Sequence, residues 1–484
     1  MSYRVPQHID NNKIFIVQRS EIEGRLDPKM ALYNRKVQSS LYPKVRLKDI
    51  IVCKPQYGAG EPGIERKNFT DARYIRITDI DEYGLISHDD LGATANCIED
   101  KYILNENDIL IARSGNTVGK AYIHKSTPYD CFFAGYLIRF IVDKKKALPE
   151  YIFTFTQLNT YKDWVKAVQR PSGQPNINSE EYQSLEIPLP DIDKQHQIVD
   201  IINLAYLQKR QKESEAQKLL DSIDAYILNE LGITLPEIKT DLKSRMFYIP
   251  FNELTGRRLD SKKYSLNVKQ LFAAIEKSCY PIFPLKHYIK GCCSGEWGID
   301  SDTDEIPNGY VKCLTLRATE IDNNYNLNIN ENKAKYRLIK KDKFDKIKPN
   351  SLDIIIEKSG GSDDWPVGRV SIIEDETFNG LPLSFSNFLM KIQIKDINPE
   401  YLYYFLKTMY NIGVTGSMQS QTNGIKNLII KEYFEQAIVV PPLAKQQEIA
   451  NHIYGIRQQA KQLQEEGKTI LENANKEVEQ MIIG

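Results

Sequence analysis

The 484-residue sequence carries no net charge, because 64 Lys and Arg balance 64 Asp and Glu. Domains that grip nucleic acid by bulk charge are basic overall, so any nucleic-acid contact here has to be local. No run of about 18 apolar residues is present, which argues against a membrane-spanning helix. Met1 to Gln18 lack the basic-then-apolar pattern of a secretory signal. The seven cysteines (Cys53, Cys97, Cys131, Cys279, Cys292, Cys293 and Cys313) contain no C-x-x-C pair. A cysteine zinc site is therefore not expected, and a reducing, cytoplasmic setting is. The six histidines (His8, His88, His124, His196, His287 and His452) have no close His partner, so no metal site is expected. What remains is ordinary globular composition, 41% hydrophobic and 26% charged, in a chain long enough for two to four domains.

The main positive signal is an internal repeat. Glu21-Ile-Glu-Gly-Arg-Leu-Asp27 is answered by Glu253-Leu-Thr-Gly-Arg-Arg-Leu-Asp260. Tyr74–Ile80 matches Tyr310–Leu316 loosely. Asn107-Asp-Ile-Leu-Ile-Ala-Arg-Ser-Gly115 matches Ser351-Leu-Asp-Ile-Ile-Ile-Glu-Lys-Ser-Gly360, and Leu148-Pro-Glu-Tyr-Ile-Phe153 matches Asn398-Pro-Glu-Tyr-Leu-Tyr403. The last pair is Ile187-Pro-Leu-Pro-Asp-Ile-Asp-Lys-Gln195 with Val439-Val-Pro-Pro-Leu-Ala-Lys-Gln446. The offsets grow in order from 233 to 251, as duplication with insertions in the second copy requires.

Each copy begins with β-branched and aromatic runs bounded by Gly, Asn, Asp and Pro. In the first copy strands are expected at Tyr102-Ile-Leu104, Asp108–Ala112 and Phe132–Val142, and a helix at Pro149–Lys166. In the second they are expected at Leu352–Glu357, Arg369–Ile373 and Asn387–Ile394, with a helix at Pro399–Tyr410. Each copy ends in a long helix. Asp193–Leu231 carries an apolar seam at Ile198, Ile202, Ala205, Ala216, Leu219, Ile223 and Tyr226, with Lys209 and Lys212 in its middle slots. The C-terminal helix repeats it at Ile449, Ile453, Ile456, Ala460, Leu463, Gly467, Ile470, Ala474 and Met481. Alternating steps of four and three are the coiled-coil pattern. The expected fold is α+β: two tandem homologous domains of mixed sheet with short helices, separated by two long antiparallel coiled-coil helices. Domains are expected at 1–188 and 233–440 and helices at 189–232 and 441–484, in a dumbbell with an approximate two-fold.

Two stretches look catalytic. Asn398-Pro-Glu-Tyr401 resembles the Asn-Pro-Pro-Tyr box of adenine methyltransferases, but its counterpart Leu148-Pro-Glu-Tyr151 lacks the Asn, so a helix start is the better reading. Gly115-Asn-Thr-Val-Gly119-Lys120-Ala121 is one residue short of a phosphate-binding loop and has Ala121 where Ser or Thr should stand. No catalytic residue is assigned, and no cofactor is expected on this chain.

Recurring polar loops suit DNA better. Candidate contacts are Arg113, Ser114, Asn116, Thr117 and Lys120, then Arg170, Ser172, Gln174, Asn176 and Asn178. Their counterparts are Lys358, Ser359, Ser362 and Arg369, then Gln419, Gln421, Asn423 and Lys426. Arg and Lys suit guanine edges, Asn and Gln suit adenine, and Ser or Thr suits phosphate. A basic run from Lys333 to Lys348, eight cations against two acids, adds to the case. For the helices, Ile198, Ile202, Leu219, Ile223, Ile449, Ile453, Leu463 and Ile470 are the candidate spacer and partner-docking residues.

Together these marks resemble the specificity subunit of type I restriction-modification systems over nearly the whole chain. They are Arg25-Leu-Asp27 and Arg258-Leu-Asp260, Asp108–Gly115, the Ile187–Pro190 and Val440–Pro442 exits, and the Lys-Gln-x-x-Ile start of both long helices. The resemblance implies two target-recognition domains, each reading one half of a split double-stranded DNA site. It implies a helical spacer docking two methyltransferase subunits, with restriction and motor subunits joining. S-adenosylmethionine, ATP and Mg²⁺ would then sit on the partners. The alternatives are a DNA adenine methyltransferase or fused restriction enzyme, and a duplicated scaffold that does not touch DNA.

Overall fold

The structure is a computed structural model. It describes residues 16, 28–37, 40–87, 90–169, 175–237, 246–251, 263–300, 305–322, 324–325, 327, 336–361, 365–375, 382–422 and 424–484. The paired motifs Arg25–Asp27 and Arg258–Asp260 lie outside these residues. The chain divides into two compact units, Met1–Lys212 with Glu465–Gly484, and Glu213–Gln464. Each unit thus owns one domain and half of each long helix.

In the first unit, Ile109–Ala112 is buried along its whole length, as an apolar run covered on both faces should be. It is central in an antiparallel sheet of order Gln56–Tyr57, Leu137–Phe140, Ile109–Ala112, Ala121–Ile123. A second sheet has the order Ile64–Glu65, Ala93–Thr94, Arg73–Ile75, Cys131–Phe133, and its last pair is parallel. Lys44–Arg46 pairs Glu186–Pro188 at the domain's exit.

The second unit repeats this order strand for strand. Its first sheet runs Ile289–Ser294, Leu389–Ile394, Ile354–Glu357, Val370–Ile372. Its second runs Ile299–Asp300, Tyr336–Lys340, Tyr310–Leu316, Leu383–Phe385, again with a parallel last pair. Ile282–Pro284 pairs Ala437–Val439. One sheet is added, Ser359–Gly361, Ile425–Leu428, Gln419–Thr422; among the described residues the first unit has only the bridge Ser114–Asn176 in that place. Duplication therefore reaches the level of hydrogen-bond register.

Several sequence expectations need correction. Phe132–Val142 is not one strand: it breaks at Ala134–Tyr136, and its halves serve different sheets. Tyr102 ends a single 3₁₀ turn, Asp100–Tyr102, instead of starting a strand. The helix expected at Pro149–Lys166 is two, Pro149–Gln157 and Asn159–Val168. The match of Tyr74 to Tyr310 is out of register. Ile75 faces Phe133 as Leu316 faces Phe385, so the true offset is 241 rather than 236.

The long helices are Ile192–Glu230 and Leu443–Ile483, and within each unit their halves run antiparallel. In the first unit, Ile198, Ile202 and Ala205 share a core with Leu471, Ala474, Val478 and Ile482. In the second, Ala216, Leu220, Ile223 and Ile227 share one with Ile449, Ile453 and Ala460. Of the expected seam, Ile198, Ile202, Ile223, Ile449 and Ile453 are buried, whereas Leu219, Leu463 and Ile470 are half-buried. Lys209 is buried beside Gly467, where a Cβ would come within 3.4 Å of the Lys209 backbone, and its ammonium lies 4.3 Å from the Tyr83 ring centre. Lys212 pairs with Glu466 at 2.8 Å.

The repeated Lys-Gln at each helix start acts as a lock. Gln195 accepts from the Leu148 amide and donates to the Pro190 carbonyl, both at 2.8 Å. Gln446 accepts from the Asn398 amide and donates to Pro441, again at 2.8 Å. Both side chains are fully buried, so nothing from solvent can replace these bonds. We expect Gln446→Ala to destabilise the second unit by about 1–3 kcal/mol through the groups left unpaired. Denaturant unfolding would measure the loss, and hydrogen exchange at the Asn398 amide should accelerate while that at Leu148 stays unchanged.

Among the described residues, no helix is long and apolar enough to cross a membrane and no cluster of His, Cys, Asp and Glu could hold a metal ion. All seven cysteines are free thiols.

Candidate nucleic-acid interface

The sequence decoys resolve into turns and caps. Asn398 accepts a hydrogen bond from the Tyr401 amide at 2.9 Å, so it caps the helix Pro399–Asn411. In the Gly115–Lys120 loop four of the six amides are already bonded. Gly115 donates to Pro175, Val118 to Gly115, Gly119 to Ala112 and Lys120 to Thr117. That leaves too few amides for a phosphate cradle.

Lys120 and Arg369 hold equivalent places and do the same work. The Lys120 ammonium donates to the Ile80 carbonyl, and burial lowers its pKa against the opposing pull of Asp81 and Glu82. Arg369 donates to the Ile321 carbonyl at 3.0 Å. Its Nε and Nη2 also grip Glu357, both at 2.8 Å, and that bond raises its pKa. Ala112 stands where Glu357 does, opposite Leu137 as Glu357 is opposite Leu389. The more demanding guanidinium thus brings its own carboxylate. Both cations bond the carbonyl that follows a 3₁₀ segment, and both are half-buried.

Arg113 and Lys358 are a second equivalent pair. Each donates its backbone N–H to the carbonyl of the residue opposite, Tyr136 and Phe388, at 2.9 Å. Each side chain is held by a residue of the edge strand two places across its sheet. The Arg113 guanidinium sits 5.0 Å from the Tyr57 ring centre, and the Lys358 ammonium donates to Ser294 Oγ at 2.8 Å. Tyr57 and Ser294 are themselves equivalent, pairing with Ile138 and Met390 in matching registers. Both cations are half-buried and held in place, which suits directed contact better than diffuse charge.

The other candidates separate by placement. Asn116, Thr117 and Asn176 are exposed in the first domain, and Gln421 in the second. Ser114 is half-buried and bridges Asn176 through its backbone. Asn178 caps Ser179–Gln183 in a reciprocal box with Glu181. Ser359 donates to Asn427 at 2.7 Å, Gln419 accepts from the Val367 amide at 3.3 Å, and Lys426 is nearly buried. Arg170, Ser172, Gln174, Ser362 and Asn423 lie outside the described residues, as do Lys333 and Lys335 of the basic run. Of the six described cations of that run, three are paired within the domain. Arg337 is buried against Trp297 and Asp300, Lys343 pairs with Glu296, and Lys348 with Asp345.

One pair was missed. Arg76 clasps Asp79 (2.7 and 3.1 Å) and Arg317 clasps Glu320 at equivalent 3₁₀ turns. Arg76 keeps 43% of its side chain exposed. The repeated Arg-x-x-acid spacing was the available signal, hidden by the wrong register at Tyr74.

Comparison with known proteins agrees with the duplication. The model of the "Type I restriction modification DNA specificity domain" matches residues 67–220 and again residues 309–469, together about two thirds of the chain. The type I restriction enzyme MjaVIII specificity subunit of Methanocaldococcus jannaschii is 26% identical over 101 residues, 21% of this chain and 22% of that one. The match thus spans about a fifth of that relative's length. Among solved structures, the S subunit of a type I restriction-modification system from M. genitalium is 13% identical, covering 92% of this chain and 97% of that one, with a TM-score of 0.39. The HsdS subunit from Thermoanaerobacter tengcongensis is 14% identical, covering 92% and 97%, with a TM-score of 0.33. With the family's model matched twice, once in each homologous half, the chain belongs to the type I restriction modification DNA specificity domain family.

Proposed function

We propose that this chain is the DNA-recognition subunit of a cytoplasmic type I restriction-modification complex. Each domain reads one half of a bipartite, asymmetric double-stranded DNA target. The chain performs no chemistry itself: two methyltransferase subunits supply S-adenosylmethionine, and restriction and motor subunits supply ATP and Mg²⁺. The observation that carries this reading is the duplicated cluster of Arg113 and Lys358, fixed in matching places on two sheets whose surrounding loops differ. A pair of like frameworks with unlike polar loops suits two different short sequences.

The docking surface for partners is read from the long helices. Ile198, Ile202, Ile223, Ile449 and Ile453 face the chain's own cores and hold the spacer in place. Leu204 and Leu207 remain 57% and 65% exposed in the first unit, and Tyr454 46% exposed in the second. Exposed apolar side chains on otherwise charged helices suit a protein partner.

The test is binding by the assembled complex across a salt series. Phosphate contacts release counterions, so log affinity should fall linearly with log salt, by about 0.9 per phosphate engaged. Target DNA should keep an advantage over scrambled DNA at every salt concentration. No DNA affinity would favour the scaffold reading, and S-adenosylmethionine binding by the purified chain at micromolar affinity would favour a methyltransferase.

A further inference from the structure

Two exposed aromatic residues occupy the same place in the two domains. Tyr136 is 65% exposed and Phe388 is 44% exposed. Each stands one residue before the strand Leu137–Phe140 or Leu389–Ile394, at the break where the chain passes from one sheet to the other. Each lies directly across from a cation of the preceding cluster, because the last paired residues are Ala112 with Leu137 and Glu357 with Leu389. Opposed residues of an antiparallel pair share a face of the sheet. An aromatic ring and a fixed cation are therefore presented together, once per domain.

The turn that carries the ring is tightly packed in both copies. Gly58 and Gly295 pack so closely beneath it that a Cβ would fall 2.3 Å from the Ala134 carbonyl oxygen and 2.1 Å from that of Phe385. The Ala59 amide bonds Phe133 and the Glu296 amide bonds Phe385, each at 2.9 Å. Neither ring stacks on another ring or cation among the described residues. The neighbours differ between copies, Ala134-Gly135 in one and Ser386-Asn387 in the other, yet the aromatic is kept.

We infer that Tyr136 and Phe388 are specificity-determining residues, each placing its ring against base pairs of its own half of the DNA target. This rests on the DNA-recognition reading above. Aromatic side chains make apolar contact with the thymine methyl group or wedge against a base step, and both depend on sequence. Arg113 or Lys358 beside the ring supplies the polar part of the same contact.

The experiment uses the assembled complex with three duplexes: the target, the target with its first half scrambled, and the target with its second half scrambled. Tyr136→Ala should bind the target about tenfold more weakly, in line with the contribution of one base-contacting side chain. It should match wild type on the duplex whose corresponding half is scrambled. Phe388→Ala should show the same behaviour with the other half. Tyr136→Phe, which keeps the ring, should retain most of the affinity. Equal weakening on all three duplexes would overturn the inference, since it would mark a fold or phosphate effect. Unchanged binding to the target would overturn it as well. If wild type itself fails to discriminate the duplexes, the DNA-recognition reading falls first and this inference with it.

Discussion

Exchanging residues 1–188 for the corresponding segment of a relative is expected to change one half of the methylated sequence and leave the other intact. Each domain has its own sheets and its own cores, built from residues of its own unit. Residues 233–440 keep every described strand and candidate contact of the second domain, and the lock at Gln446 and Pro441 also lies outside the exchanged segment. What the graft must preserve is the seat on the helices. Ile198, Val199 and Ile202 from one helix and Leu471, Val478 and Ile482 from the other pack into the first domain's core. Gln195 needs the amide at position 148, and Glu479 accepts from the Thr160 amide at 2.6 Å. A donor that keeps these contacts should fold in place, and methylome sequencing of a host carrying only the hybrid system would read the outcome. A hybrid that alters both halves would refute independent reading by the two domains.

The duplication was legible because it leaves collinear matches, and those matches pointed to the starts of both long helices. Sheet order was not legible. Most strands are two to four residues long and carry little periodicity of their own. Phe132–Val142 looks like one long strand because an apolar run does not record which sheet each half joins. Asn398 could be dismissed from sequence only by its missing partner in the first copy; its capping bond gives the physical reason. Lys120 and Arg369 looked like base readers because loop cations usually are exposed. Burial and a carbonyl partner turn them inward, and no local pattern announces that. Tyr136 and Phe388 were invisible for the opposite reason, since an aromatic inside an apolar run reads as core. Gln195 and Gln446 stood out as a repeated dipeptide, but their role depends on amides about 47 residues upstream.

The helix seam shows the same limit and gives the sharpest test. A narrow stripe at steps of four and three places Ile470 in the C-terminal seam, whereas the buried positions are Leu471, Ala474, Val478 and Ile482. The first helix likewise buries Leu220 to 6% exposure, while Leu219 is only partly covered. Each long helix packs against a globular domain as well as against the other helix, so its buried face is wider than a two-stranded seam. Leu471, at 2% exposure, sits inside that face and Ile470 at its edge. Leu471→Asp leaves an unpaired carboxylate among apolar side chains and should cost roughly 3–5 kcal/mol at neutral pH. Ile470→Asp can turn its carboxylate to water and should cost about 1–2 kcal/mol. Burial raises the folded-state pKa of the carboxyl that Leu471→Asp introduces above its unfolded value, so the neutral acid is the form the fold tolerates. Stability is therefore lost as pH rises from the unfolded pKa through the raised one, and the deficit relative to wild type should narrow again as pH falls. Paired denaturant titrations of the two variants at neutral and mildly acidic pH would measure both effects. Equal costs for Leu471→Asp and Ile470→Asp, or a larger cost for Ile470→Asp, would restore the narrow seam and remove the wide one.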